Sequence, residues 1–197
     1  MNAVIPAEAG TQRNRLGPDF RRGDGEAITG IPNGRLGMML LVGTETMLFS
    51  SFIGAYIVLR ASARSWPPMG VPALTLDLSP VNTAVLVLSS IFIYFKRVAE
   101  TFLLGLMFLV LQGLEFHRLY ARGLTLQSGP YGSFFYALST CHGLHVLGGL
   151  AILAAVLVRA HSGAPLQAIR AWIGNAELYW HFVTGVWLVL FAVLYLA

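Results

Sequence analysis

A few ionisable residues sit inside long apolar runs of this sequence, and they are the ones that could do chemistry. His142 and His145 lie three residues apart within YALSTCHGLHVLGGLAILAAV, residues 136–156, a stretch long enough to cross a membrane. His181 follows Glu177 by four residues in ELYWHFVTGVW, and Thr184 follows three later. At about 100° per residue, that spacing puts all three on one helix face. Imidazole binds metals and moves protons, and a carboxylate beside a ligating histidine fixes its orientation. A metal site built from His142, His145, His181 and Glu177 is therefore one reading. Bundle metal sites of the carboxylate type draw on clustered Glu-x-x-His pairs from several helices, and this chain has no such pair. The favoured reading is that these histidines are polar contacts within a helix bundle or to a neighbouring protein, with no metal or haem held here. Ser139, His142, His145 and Gly149 fall on one polar and small face of their helix.

Glu45 is the sharpest oddity. It lies about nine residues into the run Leu36–Leu59, hence roughly 13 Å deep at a rise of about 1.5 Å per residue. A charged carboxylate near the bilayer midplane costs at least about 2.5 kcal/mol, so a functional role is the default and the neutral acid is expected. On the same helix Gly43, Thr46, Ser50 and Gly54 form a narrow stripe of small residues, the kind that lets helix backbones approach closely. Glu45 points the other way, towards Phe49, Phe52 and Tyr56. This predicts a packing face made of the small stripe and a separate aromatic face carrying one acid.

These residues need helices to position them. The chain has 197 residues, 56% of them hydrophobic and 11% charged, with mean hydropathy +0.67. Soluble domains carry about 25% charged residues, so the composition is that of an integral membrane protein. One cysteine, Cys141, excludes an internal disulfide framework and a cysteine-based zinc or iron–sulfur site. Apolar runs at Leu36–Leu59, Leu78–Phe95, about Ala99–Tyr120, Gly132–Val158 and Glu177–Ala197 predict five crossings. The third must borrow flanking residues, which places Glu115 in its last turns, near an interface or inside the bundle. KRVAE, residues 96–100, leaves room only for a tight hairpin. No backbone polar group can go unpaired in lipid, so the crossings are helices. The fold class is all-α, an integral membrane bundle of five transmembrane helices.

Residues 1–35 are rich in Gly, Pro and charge and lack the apolar core of a secretory signal. They read as a flexible cytoplasmic arm ahead of a transmembrane domain at 36–197. With the N-terminus inside, nine of the 13 basic residues are inner and four outer, so the positive-inside rule favours N-in, C-out. Most of that margin comes from the arm. The net charge of +4 therefore reads as a topology signal, with no nucleic-acid partner.

Several stretches together resemble subunit III of the haem–copper terminal oxidases. GMMLLVGTETMLFSSFIGAYIVLR is similar to that family's acid-bearing helix and LQGLEFHRL to its following Glu-bearing helix. GPYGSFFYALSTCHGLHVLGGLAIL resembles its FF…HGLHV helix and YWHFVTGVWLVLFAVLYL its closing YWHFVDxVW helix. The likeness covers roughly residues 36–197 and is to the five-crossing members, which lack the first two helices of the longer ones. It implies a non-redox core subunit that packs against subunit I (and II), carries phospholipid and leaves haem and copper to the catalytic partner. It places the chain in a bacterial-type plasma membrane and in aerobic respiration with proton translocation. It also implies that Glu45 matches the family's carbodiimide-reactive buried carboxylate, and that His142, His145, His181, Glu177 and Glu115 are polar helix contacts. Thr184 stands where the family's YWHFVDxVW motif has an acid, so no role of that acid carries over. The alternative within the superfamily is an accessory subunit of a nitric oxide reductase. Further off are a stand-alone His-dependent membrane metalloenzyme and a small transporter with Glu45 as proton carrier, although no inverted repeat or broken-helix pair is visible.

Overall fold

The computed structural model describes residues 32–74 and 76–196. Five α-helices follow in order: α1 Asn33–Ser62, α2 Ser79–Tyr94, α3 Val98–Ala121, α4 Pro130–His161 and α5 Leu166–Phe191. A π-helical turn, Ala192–Leu196, closes the chain. α1, α3, α4 and α5 with its terminal turn are long and apolar enough to cross a membrane. α2 has 16 residues, about 24 Å of helix, and is shorter than the run Leu78–Phe95 expected for it. The expected arm, apart from its last residues, lies outside the described residues. Asn33 to Arg35 already belong to α1, three residues before the expected start. α5 begins eleven residues before Glu177, because LQAIRAWIGNA is helical without being apolar enough to sit in hydrocarbon. The chain is a multi-pass helical membrane protein.

Local chemistry sets the helix ends. Pro80 and Pro130 occupy first turns, where the missing N–H removes no helical hydrogen bond. Between α2 and α3 the hairpin is as tight as expected. Lys96 takes a left-handed φ of 61°, and the Lys96 and Arg97 amides donate to the carbonyls of Ile93 and Phe92 at 2.8 and 2.9 Å, which closes α2 in the manner of a C-terminal cap.

In lipid, helices gain nothing from hiding apolar surface from water; they associate through close packing and hydrogen bonds. Both are visible around Trp180 and Trp187, which are fully buried. The Trp180 ring lies in a socket between two helices that only glycines leave open. A Cβ on Gly105 would stand 2.5 Å from Trp180 Cη2, and one on Gly149 would stand 2.9 Å from Trp180 Cε3. Short α2 is held by side-chain hydrogen bonds. Trp180 Nε1 donates to Ser89 Oγ at 2.9 Å, Trp187 Nε1 to Thr83 Oγ1 at 3.0 Å and Asn82 Nδ2 to Gln112 Oε1 at 3.0 Å.

α1 differs from the others: of its 30 residues only Phe49 and Tyr56 are buried. Those two belong to the aromatic face, so the expected roles of the two faces are reversed within this chain. Gly43, Thr46 and Ser50 are exposed, and a Cβ on Gly43 or Gly54 would meet nothing within 4 Å. Large rings fill the gap to α4 and α5 and leave the small stripe turned outward. Thr46 and Ser50 line one wall of an open groove of ≈ 320 Å³, with Phe182, Gly185, Val186 and Val189 of α5 on the other wall.

Candidate functional site

Glu45 has a partner. The Nε2 atom of His145 lies 2.8 Å from Glu45 Oε2, joining α1 to α4 across one hundred residues of sequence. The other ring nitrogen, Nδ1, lies 2.7 Å from the carbonyl oxygen of Cys141, one turn earlier in α4. A carbonyl only accepts, so Nδ1 carries a hydrogen and donates it. Nε2 is left to face the carboxyl. Two arrangements then satisfy the contact with a single proton between them: a neutral acid donating to Nε2, or an imidazolium donating to a carboxylate. Tyr179 steadies the same turn, its hydroxyl donating to the His145 carbonyl at 3.2 Å. Phe49, one turn after Glu45, packs edge-on against the His145 ring with centroids 4.9 Å apart. The side chains are 23% and 17% exposed, so the pair sits at the seam between α1 and α4 and not deep in the core.

The remaining expected contacts are distributed through the bundle. His142 is fully buried between α1, α3 and α5. Its ring lies 5.0 Å from that of Trp187, 5.8 Å from Phe108 and 6.4 Å from Phe49. Among the described residues neither of its ring nitrogens has a hydrogen-bond partner, nor has the buried hydroxyl of Ser139. His181 stands at the α2–α5 seam, with Nδ1 2.6 Å from Ser90 Oγ and Nε2 3.9 Å from Glu177 Oε1. Glu177 is also ion-paired with Lys96, so its strongest contact is to the α2–α3 hairpin. Thr184 is buried and bonds back to the Trp180 carbonyl at 2.9 Å. Glu115 is inside the bundle, 4% exposed.

Of the four residues of the metal reading, His145 is held by Glu45, His181 by Ser90 and Glu177 by Lys96, while His142 lies among aromatic rings. Among the described residues no group of three or more histidine, cysteine or acidic side chains is arranged to hold a metal ion. Sequence reasoning missed the pairing of Glu45 with His145 and the Lys96–Glu177 bridge. A usable signal existed for the first, since an acid and an imidazole that both lie near mid-bilayer each need a polar partner.

Comparison with known proteins decides the family. The model of cytochrome c oxidase subunit III matches residues 24–197. The chain belongs to the cytochrome c oxidase subunit III family. Within it, the chain is 32% identical to cytochrome c oxidase subunit 3 of Synechocystis over 98% of this chain and 88% of that protein. It is 36% identical to the probable cytochrome c oxidase subunit 3 of Nocardia farcinica, over 81% and 86%. Cytochrome bo(3) ubiquinol oxidase subunit 3 of Pseudomonas putida is 33% identical, over 82% and 84%. The haem–copper oxidase subunit III assignment therefore stands, and the nitric oxide reductase alternative is not favoured.

Proposed function

We propose that this chain is a non-redox subunit of an oxygen-reducing terminal oxidase, in which the Glu45–His145 pair holds one exchangeable proton at the α1–α4 seam. The hydrogen bond between Glu45 and His145 is the observation that carries this reading. A pair that shares one proton can take up a second, the imidazolium then donating to the carboxylic acid so that α1 stays in place; release of the shared proton leaves two acceptors face to face and frees the seam. The partial exposure of both side chains leaves that proton reachable. The chain works within a membrane complex beside other oxidase subunits, with subunits I and II as its neighbours and haem and copper in the catalytic one. It supports proton uptake and the lifetime of that complex during proton-translocating turnover. The outward small stripe of α1, Gly43, Thr46, Ser50 and Gly54, is the surface for a neighbouring helix, and phospholipid fills the remaining grooves. The location is a bacterial inner membrane with the N-terminus cytoplasmic and the C-terminus outside.

The test is Glu45→Gln. The glutamine amide can still donate to His145 Nε2, so shape and the seam survive while the shared proton is lost. Electron transfer is expected to continue at its initial rate. Proton yield, or activity sustained over many turnovers, is expected to fall. Carbodiimide adducts mapped by mass spectrometry are expected mainly on Glu45, because only a protonated, reachable carboxyl reacts. Normal proton yield and normal lifetime in the variant would reduce Glu45 to a structural residue.

A further inference from the structure

A second acid of this bundle has no role in the reading above. Glu115 is on the last turns of α3, and its carboxyl oxygen Oε2 is buried without a hydrogen-bond partner among the described residues. It is not alone. Gln112 Nε2, Asn82 Oδ1 and the Tyr195 hydroxyl are buried without a partner at close hydrogen-bond geometry as well; the Tyr195 hydroxyl interacts with both Glu115 and Gln112, and Ser79 of α2 hydrogen-bonds to the carboxyl. Three elements, α2, α3 and the terminal turn, therefore bring buried polar groups to the Glu115 carboxyl, whose Oε2 is left without a close partner. Each such group costs roughly 1–3 kcal/mol if nothing bonds to it, and native interiors meet that demand with ordered water. Beside the carboxyl is a cavity of ≈ 10 Å³, lined by Asp77, Leu78, Glu115, Arg118, Leu119 and Arg122, about the room of one water. Its rim is the Asp77–Arg122 ion pair at 3.0 Å, both side chains about half exposed.

We infer that Glu115 is a proton-exchanging carboxyl, connected to the surface where α2 begins and α3 ends through a single-water cavity beneath the Asp77–Arg122 ion pair. In the exchange the carboxyl O–H gives its proton to the water, the resulting hydronium passes it to the surface, and a proton returning by the same route restores the acid. No oxidant or reductant is involved. The charged and titratable groups facing Glu115 are Asp77 from the loop before α2, Arg118 and Arg122 from α3, and Tyr195 from the terminal turn. A metal cation is disfavoured in a cavity rimmed by two guanidinium groups. This inference stands apart from the Glu45–His145 pair, which is on another seam.

The experiment is infrared spectroscopy of membranes carrying the assembled complex, on transfer from H2O to D2O. The wild-type spectrum minus that of Glu115→Gln is expected to contain a protonated-carboxyl band that shifts in D2O as fast as the buffer is exchanged, and that persists in Glu45→Gln. Leu78→Phe narrows the cavity while keeping the carboxyl and is expected to make the shift lag well behind the buffer exchange, exchange then waiting on local opening. If Glu115→Gln fails to assemble, Glu115→Asp keeps an acid and is expected to move the band, which assigns it equally well. A wild-type band that stays undeuterated for hours, no carboxyl band at all, or an unchanged rate in Leu78→Phe would each overturn the proposal.

Discussion

Gly105→Ala adds one methyl group where the structure has least room for it. Its Cβ would stand 2.5 Å from Trp180 Cη2, 2.8 Å from Cζ2 and 2.9 Å from Leu150 Cδ2. Comfortable carbon–carbon contact is about 3.5–4.0 Å, so the indole must retreat by about 1 Å or more. It has nowhere to go. The ring is fully buried, its opposite edge rests over Gly149, and its N–H is held by Ser89. Overpacking of this kind costs about 1–3 kcal/mol, and breaking the Trp180–Ser89 hydrogen bond adds about 1 kcal/mol. Alanine returns about 1 kcal/mol through better helix propensity. The net is a destabilisation of about 1–3 kcal/mol. Gly113→Ala is the internal control, because it is on the same helix and its Cβ would meet nothing within 4 Å. It is expected to stabilise by up to about 1 kcal/mol. Thermal denaturation in mild detergent, followed by tryptophan fluorescence, should shift the two variants in opposite directions. Shifts of the same sign and size would refute the socket as the reason glycine is needed at 105.

His142→Phe is expected to leave stability unchanged or raised, because no described residue bonds to either ring nitrogen and removing an unpartnered polar group is nearly neutral or favourable; a loss above about 2 kcal/mol in the same melt would mean the nitrogens have a partner. Gly54→Leu is expected to leave the fold of the chain intact, since its Cβ meets nothing within 4 Å, and to reduce retention of the subunit during purification of the complex. Glu45→Ala and His145→Phe are each expected to loosen α1, and together to cost less than the sum of the two. A double-mutant cycle in detergent melts should give a coupling of about 0.6 kcal/mol and no more than about 1.7 kcal/mol, the average and the maximum for hydrogen bonds between membrane helices; zero coupling would contradict the 2.8 Å contact.

What the amino-acid sequence determined was the set of helices and the residues out of place in them. Apolar runs of about 20 residues between charged or turn-forming stretches admit only helices, because lipid leaves the backbone no other partner. The hairpin at residues 96–100, the depth of Glu45 and the shared face of Ser139, His142 and Gly149 follow from rise and rotation along one helix. What only the tertiary structure decided was which faces meet. Periodicity says which residues share a side of α1 and is silent on which side turns inward, and in lipid an apolar side is equally at home facing a neighbour or the hydrocarbon. So Phe49 and Tyr56 of the aromatic face of α1 pack inward while Phe52 stays exposed, the small stripe faces out, and Glu45 meets His145 one hundred residues away. The same reason applies to Glu115: its position near the end of α3 allowed an interfacial or an interior place, and the packing of α2 and the terminal turn over it placed the acid inside.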